Sequence, residues 1–171
     1  MIAVLHNIRS LHNVGSIFRT ADAVGISKIY LCGYTPSPYD EYGLPRGPLV
    51  KTALGAERTV SWEKHVSTVR LLNKLRAEGV DIYAVEQSKK SVPYQHVRLS
   101  KRQLDNMALV VGNEIKGISP AVLKRADKIL EIPMFGRKES LNVAVAFGIV
   151  AYGLRMNSSD RTGKKDNFRE A

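Results

Sequence analysis

Apolar residues along this chain alternate between short unbroken runs and longer spaced stripes. The runs Ile2–Leu5 (IAVL), Lys28–Cys32 (KIYLC), Asp81–Val85 (DIYAV), Met107–Val111 (MALVV) and Lys128–Ile132 (KILEI) have the length and aliphatic content of buried strands. Asn13–Val24 instead places Val14, Ile17, Phe18, Ala21 and Val24 at three- and four-residue spacing, one helical stripe, and Gly25 suits its C-terminal stop. Leu49–Ala56 and Val66–Glu78 read as further helices, the second closed by Gly79. Ser119-Pro120 signals another start, with serine as N-cap and proline at the first helical position. A last helix runs from about Asn142 to Met156 and is apolar on nearly every face. Strands alternating with helices predict an α/β fold whose mainly parallel sheet is flanked by helices.

Three segments break this rhythm. Gly33–Gly47 holds three prolines, three tyrosines and three glycines, a long loop of the kind that often carries function. Lys89–Arg102 is basic and irregular, and Pro93 argues against a central strand there. The polar stretch 157–171 has no apolar periodicity and reads as a mobile tail behind one domain, 1–156. There is no internal repeat.

Composition narrows the partners. Hydrophobic content of 44% with 25% charged residues is that of an ordinary globular chain, which excludes a disordered or fibrous protein. No apolar run approaches the roughly 20 residues needed to span a bilayer. The first residues, MIAVLHNIRS, lack a signal-peptide layout, so a cytoplasmic protein is expected. The single cysteine, Cys32, excludes an internal disulfide and a cysteine-based metal cluster; it closes an apolar run and suits a small buried hydrophobe. The formal charge is +10, of which the tail carries only one unit, so the folded body is itself basic and favours a polyanionic partner.

Polar residues concentrate at three strand ends: Asn13–Arg19, Gly112–Gly117 and Ile132–Asn142. In the last, a strand breaks at Pro133 and passes through a Gly/charged loop into the final helix, with Ser140 or Asn142 as candidate N-cap. Taken alone this is equally an ordinary strand–loop–helix connection, just as Arg19 is equally a solvated arginine. None of the three fits a P-loop or a GxGxxG dinucleotide fingerprint.

Together and in this order, the segments HNVGSIFRTADAVG, LVVGNEIKGIS and IPMFGRKESLNVAVA resemble the three motifs of the SpoU/TrmH family of SPOUT-class RNA 2′-O-ribose methyltransferases. The resemblance implies a deep C-terminal trefoil knot, one of the rare exceptions to unknotted topology. It implies S-adenosylmethionine as methyl donor and RNA as acceptor, transfer RNA before ribosomal RNA, with no metal. Carried over by position, the family's catalytic pattern falls on Asn13, Arg19, Glu114, Ser140 and Asn142. Its cofactor pocket falls on Val85, Glu86, Gly112, Ile132, Met134 and Leu141. Arg19, whose guanidinium stays charged, would stabilise the forming alkoxide and grip a phosphate rather than act as base. Glu114 would either hold Arg19 or help with the proton. Arg9, Tyr39, Tyr42 and Arg46 are candidate RNA contacts, although the tyrosines equally suit packing on the domain.

The all-apolar last helix points to the homodimer usual in that family, with Leu154 facing outward and Gly148 and Gly153 permitting close approach by another element. Burial within the chain is the alternative. The runner-up function is a non-catalytic RNA-binding module on the same scaffold; a small-molecule or protein methyltransferase fits the basic charge less well.

Overall fold

The computed structural model describes residues 1–158. Seven strands, β1 (Ile2–His6), β2 (Lys28–Cys32), β3 (Trp62–His65), β4 (Asp81–Val85), β5 (Val92–Pro93), β6 (Met107–Val111) and β7 (Lys128–Glu131), form one sheet. Their order is β3-β2-β1-β6-β4-β7-β5 and every neighbouring pair is parallel. The helices are α1 (Leu11–Val24), α2 (Gly47–Ala53), α3 (Ala56–Thr59), α4 (Thr68–Ala77), α5 (Lys101–Asp105), α6 (Pro120–Leu123) and α7 (Val143–Met156).

Successive strand residues point to opposite faces, and this divides the core into two layers. Ala3, Leu5, Ile29, Leu31, Leu109 and Val111 pack with Val14 and Phe18 of α1 and Phe147 and Val150 of α7. Val4, Tyr30, Cys32, Ala108 and Val110 pack on the other face, against Leu71, Leu72 and Leu75 of α4 and Val122 of α6. Cys32 is fully buried there, and loss of solvent pushes its thiol up to about 11. None of the described helices is long and apolar enough to cross a membrane.

The five expected strands all form, but two more join the sheet at its edges. β3 (WEKH) carries two exposed charged residues, a polar edge pattern without the apolar run that marks a buried strand. In β5, Pro93 sits on the opposite edge, where a missing N–H removes no ladder bond. The helix expected over Leu49–Ala56 is two short helices, broken where Leu54 and Gly55 take positive φ (52° and 93°). α4 starts at Thr68, not Val66, because the Ser67 side chain caps it by accepting from the Arg70 N–H. α1 starts at Leu11, with Ser10 accepting from the Asn13 N–H, and Gly25 ends it at φ 75°. Of the polar tail, residues 159–171 lie outside the described residues.

α7 corrects an expectation about the dimer. Leu154 is 1% exposed and belongs to this chain's own core, because α7 packs against α1 as well as the sheet. Gly153 makes room for the ring of Tyr94, and Gly148 lies beside Thr20, so both glycines serve contacts within the chain. Arg155 fixes the arrangement by donating to the carbonyls of Val24 (3.2 Å) and Gly25 (3.1 Å), a cation at the carbonyl end of α1. What stays outside is a narrower stripe, Val145, Tyr152 and Met156, 50%, 44% and 64% exposed.

Gly15 holds α1 against α2: a Cβ there would collide with the Thr52 hydroxyl and the Leu49 carbonyl. Gly15→Ala therefore overpacks a backbone contact, at a cost of about 1–3 kcal/mol. Thermal unfolding should show Tm lower by several degrees; an unchanged Tm would mean the two helices separate freely.

Candidate active site

Because all strands are parallel, their carboxyl ends share one rim. β1 leads through α1 to β2 on one side, while β6 leads through α6 to β7 on the other. Neighbouring strands whose outgoing connections diverge leave a crevice, the usual ligand position in open α/β sheets.

Hydrogen bonds cross this crevice. The Glu114 carboxylate, after β6, accepts from the backbone N–H of Ser10 (3.0 Å) and Arg9 (3.1 Å), after β1, and from Nδ2 of Asn13 (3.0 Å). Asn13 Oδ1 in turn accepts from Nδ2 of Asn142 (3.0 Å). Asn142 is the N-cap of α7, its Oδ1 accepting from the N–H of Ala144 (2.8 Å) and Val145 (3.4 Å). The chain Glu114–Asn13–Asn142 thus joins the three polar segments end to end. Burial opposes the charge on Glu114, but hydrogen bonds from Ser10, Arg9 and Asn13 outweigh it and hold the carboxyl below its ordinary value. Glu114 is therefore an ionised, acceptor-filled anchor and a weak base.

The loop after β6 is a closed turn. Asn113 and Gly117 exchange backbone bonds (3.1 and 2.9 Å), and Asn113 Oδ1 accepts from the N–H of Ile115 (3.0 Å) and Lys116 (2.8 Å). Gly117 adopts φ 63°. Glu86, after β4, pins the turn by accepting from the Ile118 N–H (2.9 Å). A Cβ on Gly112 would lie 2.6 Å from both the Gly117 carbonyl carbon and the Ile118 side chain. Gly112 is thus required by the turn's own backbone, before any ligand is considered. Gln87 ties the third loop in, donating to the Glu139 carbonyl (2.6 Å).

These loops enclose a cavity of about 520 Å³. Val85, Glu86, Gly112, Ile132, Met134 and Leu141 all line it, as do Glu114, Ser140 and Asn142. Asn13 stands at its rim through the bonds just described. Arg19 does not join this cluster. Six residues on, it lies about 9 Å further along α1, exposed and without an ion pair among the described residues. Glu114 holds Asn13 and two backbone amides, not Arg19. Among the described residues no group of three or more His, Cys, Asp or Glu is arranged to hold a metal. Sequence reasoning missed Gln87, Gly117 and Ile118 in the lining; Gly117 alone left a signal, as the second glycine of GNEIKG.

The four candidate RNA contacts lie outside the cavity. Arg9 is exposed beside Glu114. Asp40 Oδ1 accepts from the N–H of Tyr42 (2.9 Å) and Leu44 (2.8 Å), which turns Tyr42 into solvent. Tyr39 is half-buried and bridged to Pro45, and Arg46 is exposed at the start of α2.

A parallel sheet with a ligand-sized, half-open cavity and an amide–carboxylate chain at its switch point defines an α/β domain with its candidate site at the strands' carboxyl ends. The family model described as the SpoU rRNA Methylase family matches residues 1–152, and the chain belongs to that family. The chain is 36% identical to a tRNA (guanosine(18)-2'-O)-methyltransferase of Aquifex aeolicus over 89% of this chain and 67% of that protein. It is 32% identical to the Bacillus subtilis 23S rRNA (guanosine(2553)-2'-O)-methyltransferase RlmP, over 90% of this chain and 57% of that one. The fold superposes with TM-score 0.78 on the crystal structure of an AdoMet-bound rRNA methyltransferase from Sinorhizobium meliloti, 30% identical, covering 91% of this chain and 55% of that one. The chain thus spans little more than half the length of two of these three proteins.

The lowered Glu114 value fixes a pH dependence. A carboxyl whose folded value lies below its unfolded one adds stability above about pH 4.3, and that stability is lost as pH falls through the folded value. Glu114→Gln should therefore lower Tm at pH 7, and the two proteins should converge in acid. An equal gap at both pH values would show that charge plays no part.

Proposed function

We propose that this chain transfers a methyl group from S-adenosylmethionine to a ribose 2′-hydroxyl of RNA. The observation that carries the reading is the Glu114–Asn13–Asn142 chain at the rim of a cavity lined by both polar and apolar residues. A pure RNA-binding module needs neither. The cavity fits the donor: its volume is in the range of small-molecule sites, and Val85, Ile132, Met134 and Leu141 offer apolar surface for a flat adenine. Gly112, which the closed turn after β6 requires, stands in the cavity wall beside these residues. Bound there, S-adenosylmethionine supplies an electrophilic methyl on a sulfonium.

The residues then divide the work. Each amide carries two N–H donors, and Asn13 and Asn142 use one each within the chain, leaving one each for a ribose oxygen. Glu114 fixes the orientation of Asn13 and takes no proton; we assign that to the substrate's phosphate or to water. Ser140, at the cavity wall, offers one further donor. We assign the cation for the forming alkoxide and adjoining phosphate to Arg19 of a second copy of the chain, because within one chain it stands about 9 Å along α1 from Asn13. Its neighbour Thr20 packs beside Gly148 of α7. In a homodimer seated on the Val145/Tyr152/Met156 stripe, Arg19 would stand at the seam. The basic body supports an RNA partner, and we place transfer RNA before ribosomal RNA and the protein in the cytoplasm. The knotted C-terminal segment belongs to the same reading, as membership of the SpoU family implies.

Labelled S-adenosylmethionine with undermodified transfer or ribosomal RNA should leave alkali-stable 2′-O-methyl dinucleotides; label on bases alone sinks the ribose assignment. Arg19→Ala should lower kcat about 10²-fold or more while cofactor titration stays unchanged, and Arg19→Lys should rescue little. Near wild-type single-turnover rates would return Arg19 to an ordinary surface role. Sedimentation should give about twice the 19.0 kDa chain mass, and Tyr152→Glu should give monomer; a wild-type monomer at micromolar concentration refutes the dimer.

A further inference from the structure

Beside the cavity lies a second, smaller cleft of about 330 Å³, lined by Arg9, Tyr34, Asn113, Ile115 and Lys116. Asn113, Ile115 and Lys116 line the larger cavity too, so the closed turn after β6 is the partition between the two spaces. Tyr34 and Ile115 are 55% and 80% exposed, large apolar surfaces left in solvent at the mouth of a polar site. Arg9 and Lys116 add two exposed cations.

Tyr34 is held in place by bonds from two neighbouring loops. Asn7 takes left-handed backbone geometry (φ 58°), which asparagine tolerates better than most side-chain-bearing residues. Its Oδ1 accepts from the Tyr34 N–H (3.3 Å), and its carbonyl accepts from Asn113 Nδ2 (2.8 Å). Gly33, at φ 62°, leaves the space that the Asn7 side chain fills. Asn113 Nδ2 also meets the Tyr34 hydroxyl (2.9 Å). The loops after β1, β2 and β6 thus fix a tyrosine ring at the crevice, next to the residue that anchors Asn13.

We propose that this cleft seats the base of the target nucleotide and its adjoining phosphate, the Tyr34 ring offering a stacking face and Arg9 and Lys116 holding the phosphate. The proposal rests on the methyl-transfer reading. With methyl donor on one side of the turn and ribose at the Asn13 and Asn142 amides, the cleft is the space left for the base. Stacking on an aromatic ring with flanking cations is how unpaired RNA bases are held.

The test uses the full chain and total RNA from a strain deleted for the gene. Cofactor affinity, and KM and kcat for RNA at saturating S-adenosylmethionine, are measured for wild type, Tyr34→Ala, Tyr34→Phe and Lys116→Ala. Tyr34→Ala should raise KM for RNA about 10-fold or more, the scale of one lost base stack, with cofactor affinity unchanged. Tyr34→Phe keeps the ring and loses only the Asn113 bond, so its KM should stay within about 3-fold of wild type. Lys116→Ala should lower the salt slope of RNA binding by about one unit. An unchanged KM for Tyr34→Ala, or a Phe variant as impaired as Ala, overturns the cleft while methyl transfer stands. A wild-type protein that methylates no RNA overturns the underlying reading, and the cleft with it.

Discussion

The arrangement at the sheet's rim depends on one carboxylate. β1 and β6 are neighbours whose connections run in opposite directions, so nothing in the backbone ladder ties their outgoing loops together. Glu114 supplies most of that tie, beside the Asn113–Asn7 bond, by gathering the otherwise unpaired N–H groups of Arg9 and Ser10 and the Asn13 amide. An ionised acceptor among several donors is a strong hydrogen-bonding partner, and the donors in turn keep it ionised. Asn13 passes the constraint to Asn142, which starts α7. One side chain thereby sets the relation between the first, second and third polar segments.

Glu86 repeats the device one strand over, closing the turn after β6 from the side of β4. The turn then works as a thin rigid wall. Its inner side meets a cavity of mixed polar and apolar lining, and its outer side meets the cleft beside Tyr34. Two acidic residues beside the cavity are thus both engaged in holding loops together. Preorganisation of this kind is what a methyl transfer from a reactive donor needs most, because the barrier falls with alignment.

The sheet was readable because β1, β2, β4, β6 and β7 are continuous apolar runs, the pattern of strands covered on both faces. β3 and β5 were not, since edge strands with Glu63, Lys64 or Pro93 look like loops until a neighbour is present to pair with them. The six cofactor residues carried by motif all line the cavity, while Gln87 and Ile118 escaped because their part is played by a side-chain amide or backbone N–H, not by residue type. Leu154 was misjudged for a different reason: sequence shows that a helix is apolar all round but not that α1 and Tyr94 cover its second side. Arg19 was legible as a polar departure from the α1 stripe, yet its distance from Asn13 depends on helix geometry that motif spacing conceals.

The proposed chemistry requires Asn13 and Asn142 to act as one unit. A double-mutant cycle in single-turnover methyl transfer tests this, using Asn13→Ala and Asn142→Ser, the serine keeping an N-cap oxygen while removing the donor to Asn13. If the chain of hydrogen bonds positions the ribose, the double variant should be little slower than the worse single variant, a coupling of about 0.5–3 kcal/mol. Losses that multiply, each variant slowing the reaction independently of the other, would contradict it.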